Sequence, residues 1–389
     1  MSGTWWIDPG ELNEEQEPII NLPIGKSYLI KGPPGSGKTN LVLLRANYLH
    51  LSGAQNIEVV VFTRTLQEFI ASGGGQYDFP VDKVKTSKKF YLDLLRRYDV
   101  HIKLPTEFKA MREYLIEETR KLVDKKNLAN LFEAVLLDEG HSFLPEEIDL
   151  LSRLGKTMFI AADARQKIYT GEDCSQNMSD AVDQEYQLQF HYRIGRQICK
   201  VADFLMNDSP DYQPMLESSQ YDEVTMPSRV EPAQRFHSIA EQANKIVESL
   251  RSQVKTYQGE FLGVLCPVKK DVLNPIRKAI EASDLADVSV CQGDSDAVEF
   301  IPGKRIIVCT IHAAQGVEFR TVHIAGADKL KKLDQERNVT FTAVTRAKTN
   351  LSIYYTGSLR GYFEQALQAA QPPKAPAKLS DVFGGKKKP

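Results

Sequence analysis

The chain has 389 residues, of which 42% are hydrophobic and 26% charged, so it is long enough for two globular domains with separate cores. Its longest apolar stretches are far short of a membrane span, it lacks a secretory signal, and its five cysteines form no Cys-x-x-Cys pair. These features predict a cytoplasmic protein without a disulfide framework, zinc site or membrane contact. The net charge of −2 restricts any nucleic-acid contact to a local groove.

Short aliphatic runs, each followed by a turn or an amphipathic segment, recur along the chain. Continuous runs of this kind are typical of strands buried on both faces of a parallel sheet. Their alternation with helical segments predicts the α/β fold class with right-handed crossovers. The runs are residues 27–30, 57–63, 133–139, 156–163, 259–267, 305–311, 321–327 and 350–356.

The distribution of these runs predicts two domains. We expect the N-terminal domain over residues 1–184, with a small helical insertion at 79–130, and the C-terminal domain over residues 185–370. Residues 208–229 are rich in Pro, Ser and Asp, which predicts an irregular connection.

Two further segments are candidates for partner contacts. Residues 371–389 are rich in Lys and Pro, which predicts a disordered tail. The alternative is a short motif for a protein partner around Val382 and Phe383. In residues 83–103 basic and aromatic residues alternate, which fits either a nucleic-acid groove or a helix with a solvated charged face.

The clearest motif lies between the first predicted strand and a predicted helix, and it fits G-x-x-x-x-G-K-[ST] in full. Glycines let successive backbone N–H groups converge on phosphate oxygens, and the helix N-terminus adds partial positive charge. The Lys38 amine can reach the β- and γ-phosphates, and the Thr39 hydroxyl can bind Mg²⁺. We therefore expect ATP and Mg²⁺ as ligands. The loop residues are Gly32, Pro33, Pro34, Gly35, Ser36, Gly37, Lys38 and Thr39.

A pair of acidic residues, Asp138 and Glu139, ends the predicted strand at 133–139. A carboxylate at the end of a strand near the phosphate loop can hold Mg²⁺ through water, and we assign this role to Asp138. Glu139 is then well placed to polarise the attacking water. Phosphoryl transfer needs positioning and charge neutralisation, so a γ-phosphate sensor and further positive charges are required from elsewhere.

Four later segments complete an ordered set of motifs. They are residues 158–169, 188–199, 308–319 and 338–348. In order and spacing the whole set resembles superfamily-1 helicases, closest to the UvrD/Rep type, over about residues 12–356. The resemblance implies two RecA-like P-loop domains with mostly parallel sheets and an ATP site in the cleft between them.

The resemblance also implies roles for residues around the nucleotide. Gln16 resembles the glutamine that reads the adenine edge, and Tyr192 the residue that stacks on adenine. Glu318 resembles the residue that contacts the ribose or links it to the nucleic-acid site. Arg193 and Arg346 resemble arginine fingers that the second domain supplies, which gates hydrolysis by closure of the cleft.

Other residues are implied to contact the strand or to couple it to hydrolysis. Thr63 and Arg64 resemble the segment that contacts the nucleic-acid backbone, and His312 lies in the predicted binding turn. Gln166 resembles the residue that couples the γ-phosphate to the strand. The tryptophan segment that usually follows Tyr169 is missing, so Tyr169 is our candidate for base stacking.

The chain departs from the family pattern in other places. Ala162 stands where the family usually has Gly, and His191 where it usually has Asn. Gln315 replaces the usual Lys and is more like the RecD-type branch, which moves in the opposite direction, so polarity is open. The gaps between motifs also leave room for only reduced accessory domains.

These motifs predict an ATP-dependent translocase or helicase on single-stranded nucleic acid, with DNA favoured over RNA through the resemblance alone. The alternative is a nucleotide-gated ATPase switch that recruits or licenses a partner protein without processive unwinding. A one-domain P-loop kinase or transferase would give no reason for the later motifs or for Arg346.

Overall fold

The computed structural model describes residues 12–73, 77–169, 171–209, 212–295, 297–333 and 335–371. It contains two parallel sheets flanked by helices, which confirms the predicted α/β class with two RecA-like domains. Apart from Gln371, the predicted tail lies outside the described residues, so its disorder and its partner motif stay predictions. No helix in the described part of the chain is long and apolar enough to cross a membrane.

The first sheet has six parallel strands within the described residues. They are β1 (Tyr28–Lys31), β2 (Ile57–Val61), β3 (Val84–Thr86), β4 (Ala134–Leu137), β5 (Met158–Ala162) and β6 (Gln184–Gln187). Their order is β3-β2-β4-β5-β1-β6, so β5 separates β1 from β4. Because carboxyl ends of parallel strands meet at one edge, the segments after β1, β4 and β5 converge there.

The second sheet is also parallel throughout its described pairings. Its strands are β7 (Arg229–Val230), β8 (Gln234–Arg235), β9 (Leu262–Cys266), β10 (Ser289–Cys291), β11 (Ile306–Thr310), β12 (Phe319–Ile324) and β13 (Ala347–Tyr355). They lie in the order β10-β11-β9-β12-β13-β7, and β8 pairs with the far end of β13. The central strands are buried along almost their whole length, as their aliphatic runs predict.

Helices connect the strands and cover the sheets. They are α1 (Glu17–Ile20), α2 (Lys38–Leu51), α3 (Arg64–Gly73), α4 (Ser87–Arg97), α5 (Phe108–Lys126), α6 (Pro145–Leu154), α7 (Ser175–Asp180), α8 (Arg196–Met206), α9 (Ile239–Thr256), α10 (Asn274–Glu281), α11 (Glu336–Thr345) and α12 (Gly361–Ala369). The predicted irregular connection at 208–229 contains no helix, and a strand begins only at its last residue, in its described part.

Two strands bear on the predicted domain bounds. β6 pairs with β1 and extends the first sheet to Gln187, just beyond the predicted division at residue 184. We therefore propose that the division follows β6. The predicted helical insertion at 79–130 contains α4 and α5 but also β3, which pairs with β2. The remaining domain bounds stay predictions.

The basic segment at residues 83–103 forms mainly α4, and its aromatic residues turn inward. Phe90 and Tyr91 are buried, with their ring centroids 5.7 Å apart. Lys85 lies within 3.1 Å of the Glu58 carboxylate. These contacts favour the helix with a charged outer face over an interleaved nucleic-acid surface, because buried rings cannot stack on bases.

The two domains touch through α3. The Phe69 ring centroid lies 5.0 Å from that of Phe300 and 6.0 Å from that of Phe261, both in the second domain. The Val298 amide donates to the Thr65 hydroxyl at 3.2 Å. This apolar contact holds the domains together beside the cleft that the motifs line.

Candidate functional site

The phosphate loop joins β1 to α2, and its glycines are needed for its backbone shape. Gly35 and Gly37 have φ angles of 75° and 86°, in the left-handed region that favours glycine. A Cβ on Gly37 would lie 2.7 Å from Gln16 Nε2. The Lys38 amine donates to the carbonyls of Gly32 and Pro33 at 2.9 Å each. The lysine therefore lies along the loop, at the N-terminus of α2.

Asp138 and Thr39 meet at the predicted metal position. Asp138 is 1% exposed, and its carboxylate contacts the Thr39 hydroxyl. Burial, together with the charge of Glu139, raises the pKa of Asp138. Among the described residues, its Oδ2 atom has no hydrogen-bond partner. A buried, unpaired carboxylate oxygen beside a hydroxyl is the donor set that Mg²⁺ prefers, so these residues fit the metal.

Glu139 lies in a small polar cluster that both domains build. Its Oε2 is 3.0 Å from His141 Nε2 and 3.4 Å from Gln315 Nε2, which belongs to the second domain. Gln315 also donates to the Ser142 hydroxyl at 2.7 Å. Burial raises the pKa of Glu139, but the hydrogen bond from His141 and the charge of Arg346 lower it overall. Glu139 is therefore present as a carboxylate. It can orient a water molecule or accept a proton from it.

Gln166 connects the first domain to Arg346 of the second. Its Nε2 donates to Asp163 Oδ2 at 3.0 Å, and its Oε1 accepts a hydrogen bond from Arg346 Nη2. Arg346 also donates from Nε to the Thr342 carbonyl at 3.2 Å. The guanidinium thus reaches across the cleft from the end of α11.

Arg193 and Gln16 approach the phosphate loop from another side. Arg193 Nη1 lies 3.2 Å from Glu318 Oε2, and the adjacent Tyr192 amide donates to the Gly35 carbonyl at 3.2 Å. Gln16 Nε2 donates to the Ser36 carbonyl at 2.8 Å. All the residues predicted for the nucleotide therefore lie on or beside the loop.

The facing side chains leave between them an open cavity of only about 30 Å³. A nucleoside triphosphate is far larger, so its binding requires the domains or the facing side chains to move apart. The cavity is lined by Pro34, Gly35, Gly37, Lys38, Thr39, Glu139, Gln166, Arg193, Gly316, Glu318 and Arg346.

A second cavity of about 550 Å³ lies between the domains and is lined by all four residues predicted to contact nucleic acid. Thr63 caps α3 and donates to the Gln315 carbonyl at 3.3 Å. Arg64 is largely exposed and pairs with Glu68 at 3.3 Å. The remaining two are Tyr169 and His312, whose ring centroids lie 5.5 Å apart. We call this the strand cavity.

Several residues of these sites were not predicted from the sequence. His141 and Ser142 lie two and three residues after Glu139, and this closeness in sequence was the available signal. Phe62 precedes Thr63, and its ring centroid lies 4.6 Å from that of Tyr169. Phe108 also lines the strand cavity but is 46 residues away from Phe62, so no local pattern indicates it.

Comparison with known proteins agrees with the motifs of the second domain. Residues 305–354, which include β11, β12 and most of β13, match the family model described as UvrD-like helicase C-terminal domain. This match confirms the predicted resemblance to superfamily-1 helicases of the UvrD/Rep type. No curated protein sequence matches the chain.

The chain is also similar to two solved structures. One is the helicase of PRRSV, at 17% identity and a TM-score of 0.42, over 87% of this chain and 54% of that chain. The other is arterivirus nonstructural protein 10 (helicase), at 17% identity and a TM-score of 0.39, over 87% of this chain and 61% of that chain. This chain therefore spans less than two thirds of the length of either helicase.

Proposed function

We propose that the chain is a motor of the superfamily-1 helicase type, which hydrolyses ATP between its domains and moves along single-stranded nucleic acid. The observation that carries the proposal is the pair of contacts across the cleft. Arg346 and Gln315 of the second domain reach Gln166 and Glu139 of the first. Closure of the domains would therefore complete the catalytic site.

The proposed chemistry divides between holding the phosphates and activating water. The loop amides and Lys38 bind the phosphates, and Thr39 and Asp138 would hold Mg²⁺, which neutralises phosphate charge when bound. Glu139 orients the attacking water and accepts its proton. Arg193 and Arg346 stabilise the charge that develops on the transferred phosphoryl group.

Gln315 offers a physical link between the strand cavity and hydrolysis. Its backbone carbonyl accepts the hydrogen bond from Thr63, and its side chain contacts Glu139 and Ser142. A strand that shifts the turn around Gln315 would also shift the groups around Glu139. This arrangement supports a motor in which strand binding stimulates hydrolysis.

The strand cavity favours a single strand because it combines aromatic rings with polar and basic groups. Tyr169 offers a flat surface for an unpaired base, and Arg64 and Lys88 offer positive charge to phosphates. We propose DNA as the track, on the strength of the resemblance, and its comparison with RNA belongs in the first experiment. Binding through phosphates should weaken as salt rises.

The first experiment is steady-state ATP hydrolysis with and without long oligo-dT and, in parallel, oligo-U. We expect at least tenfold stimulation by the true track, about 1.4 kcal/mol of coupling, and its loss in Lys38→Ala and Arg346→Ala. Arg251→Ala is the matched control, since Arg251 forms an exposed ion pair with Asp284 at 2.8 Å.

Two outcomes would contradict the proposal. An Arg346→Ala protein as active as the wild type would remove the second domain from catalysis. High basal hydrolysis that neither strand changes would favour the nucleotide-gated switch. Movement itself is then tested by displacement of streptavidin from biotin at the 5′ or 3′ end of oligo-dT, which also reports direction.

A further inference from the structure

Phe108 is the first residue of α5 and is unusually exposed for a large apolar side chain. It is 50% exposed and lines the strand cavity. The other large apolar side chains that the described part of the chain exposes do not line this cavity; they are Ile24, Leu51, Val224 and Ile301. Because the ring is exposed at the cavity wall, a ligand can contact it without disturbing the packing that stabilises the fold.

The ring of Phe108 lies next to that of Tyr169, in a tilted arrangement. Their centroids are 6.3 Å apart and their planes differ by 33°. A base between two rings needs about 7 Å, because stacked carbon atoms are about 3.5 Å apart. By contrast, Tyr169 and Phe62 are in direct contact, with centroids 4.6 Å apart. A small rotation of the exposed Phe108 ring would therefore open a slot one base thick.

The charges on the two sides of Phe108 differ. The strand cavity has the basic side chains of Arg64 and Lys88 close to its wall. Beyond Phe108, a second groove of about 550 Å³ runs along α5. Its acidic side chains are Glu113, Glu117, Glu146 and Glu172.

The basic residues of that groove do not make it attractive to phosphates. Lys109 lies 3.9 Å from Glu113, and Arg120 lies 3.0 Å from Glu117, so the two other carboxylates of the groove, Glu146 and Glu172, leave it with an excess of negative charge. Arg112 is buried and donates to Glu147 at 2.8 Å. The strand backbone should therefore remain in the strand cavity, and a base at this boundary would point toward Phe108.

We propose that Phe108 and Tyr169 sandwich one unpaired base of the bound strand. Phe108 thereby supplies a second stacking surface opposite Tyr169, the candidate that the sequence already offers. The ligand is a nucleobase of a single strand, held by its flat face and independent of its identity. This inference rests on the proposed function, because it requires the single strand to occupy the strand cavity.

The test is equilibrium binding of labelled oligo-dT by fluorescence anisotropy. We expect Phe108→Ala to weaken binding about tenfold, which is within the range for the loss of one base stack. Phe108→Trp keeps the wild-type affinity or improves it. Leu51→Ala is the matched control, since Leu51 is an apolar side chain with 64% exposure away from the cavity. Thermal unfolding midpoints establish that each variant is folded.

A spectroscopic readout separates stacking from a structural effect. Oligo-dT with a single 2-aminopurine should lose fluorescence when this base enters the slot of the wild-type protein, and Phe108→Ala should recover it. Wild-type affinity and unchanged quenching in Phe108→Ala would overturn the inference while leaving the motor intact. If the wild-type protein binds neither oligo-dT nor oligo-U, the inference and the proposed function both fail.

Discussion

His191 shows what one buried residue can add to the stability of this fold. It stands where the family usually has Asn and is fully buried, with Nε2 2.7 Å from the Met215 carbonyl and 3.7 Å from Cys199 Sγ. Burial lowers the pKa of His191 to about 4. The ring is therefore neutral at pH 7 and donates to the Met215 carbonyl.

This lowered pKa predicts acid sensitivity that His191→Asn should reduce. Between pH about 6.5 and about 4 the unfolded chain binds a proton at His191 that the folded chain does not, so stability rises with pH there. Above pH about 6.5 the protonation of His191 does not reduce the free energy of unfolding. Below it, this free energy falls by about 1.4 kcal/mol per pH unit of acidification.

Urea unfolding at pH 7, 6 and 5 measures this slope. The slope should decrease by about that amount in His191→Asn, and it should not change in His237→Asn, since His237 is exposed. Equal slopes for the wild type and His191→Asn would show that His191 is not the source of the acid sensitivity.

At the scale of elements, α1 owes its position to a single arginine of α2. Arg45 is 2% exposed and donates to three carbonyls, that of Ile20 at the end of α1 and those of Leu22 and Pro23 in the segment before β1. Its guanidinium also lies 5.4 Å from the centroid of the Tyr48 ring. Since α1 begins directly after Gln16, Arg45 indirectly holds Gln16 over the phosphate loop.

Arg45→Met should therefore affect both stability and nucleotide binding. Methionine fills most of the space but leaves three carbonyls without their charged donor, so we expect a loss of about 3 kcal/mol of unfolding free energy. The KM for ATP should rise because Gln16 is less well positioned. Urea unfolding and steady-state kinetics measure the two effects, with Arg251→Met as the exposed control. A stability within about 0.5 kcal/mol of the wild type would contradict this role.

At the scale of the whole molecule, the two domains meet at both the phosphate-loop cavity and the strand cavity. Gln315 contacts a residue that lines each cavity, Thr63 through its backbone carbonyl and Glu139 through its side chain. The apolar contact of Phe69 with Phe300 supports this arrangement from α3. The proposed coupling between strand and nucleotide would therefore depend on how the two domains pack together.

Gln315→Ala should separate strand binding from strand-stimulated hydrolysis. The variant keeps the carbonyl that Thr63 contacts, so its affinity for oligo-dT should stay near that of the wild type. Its side-chain contacts with Glu139 and Ser142 are lost, so we expect the stimulated kcat to fall about tenfold or more. A double-mutant cycle with Ser142→Ala should be non-additive. Full stimulation in Gln315→Ala would contradict the link.

Some elements were predictable from sequence and others were not. The eight aliphatic runs correspond to β1, β2, β4, β5, β9, β11, β12 and β13. β3, β6, β7, β8 and β10 are at most four residues long, and they lack the long aliphatic run that would have indicated them. β6 is an edge strand whose side chains are largely exposed, so the rest of the sheet determines its place.

The sequence by itself determined the phosphate loop, the pair Asp138 and Glu139, and the α/β class. Each depends on residues that are contiguous in the sequence, so a local motif or a local run of aliphatic residues is enough to predict it. Only the tertiary structure decided that Gln315 contacts Glu139, which is 176 residues away, and that Phe108 faces Tyr169. Such contacts arise because the packing of two sheets and an insertion brings together side chains that are far apart in the sequence. No local sequence pattern predicts such contacts.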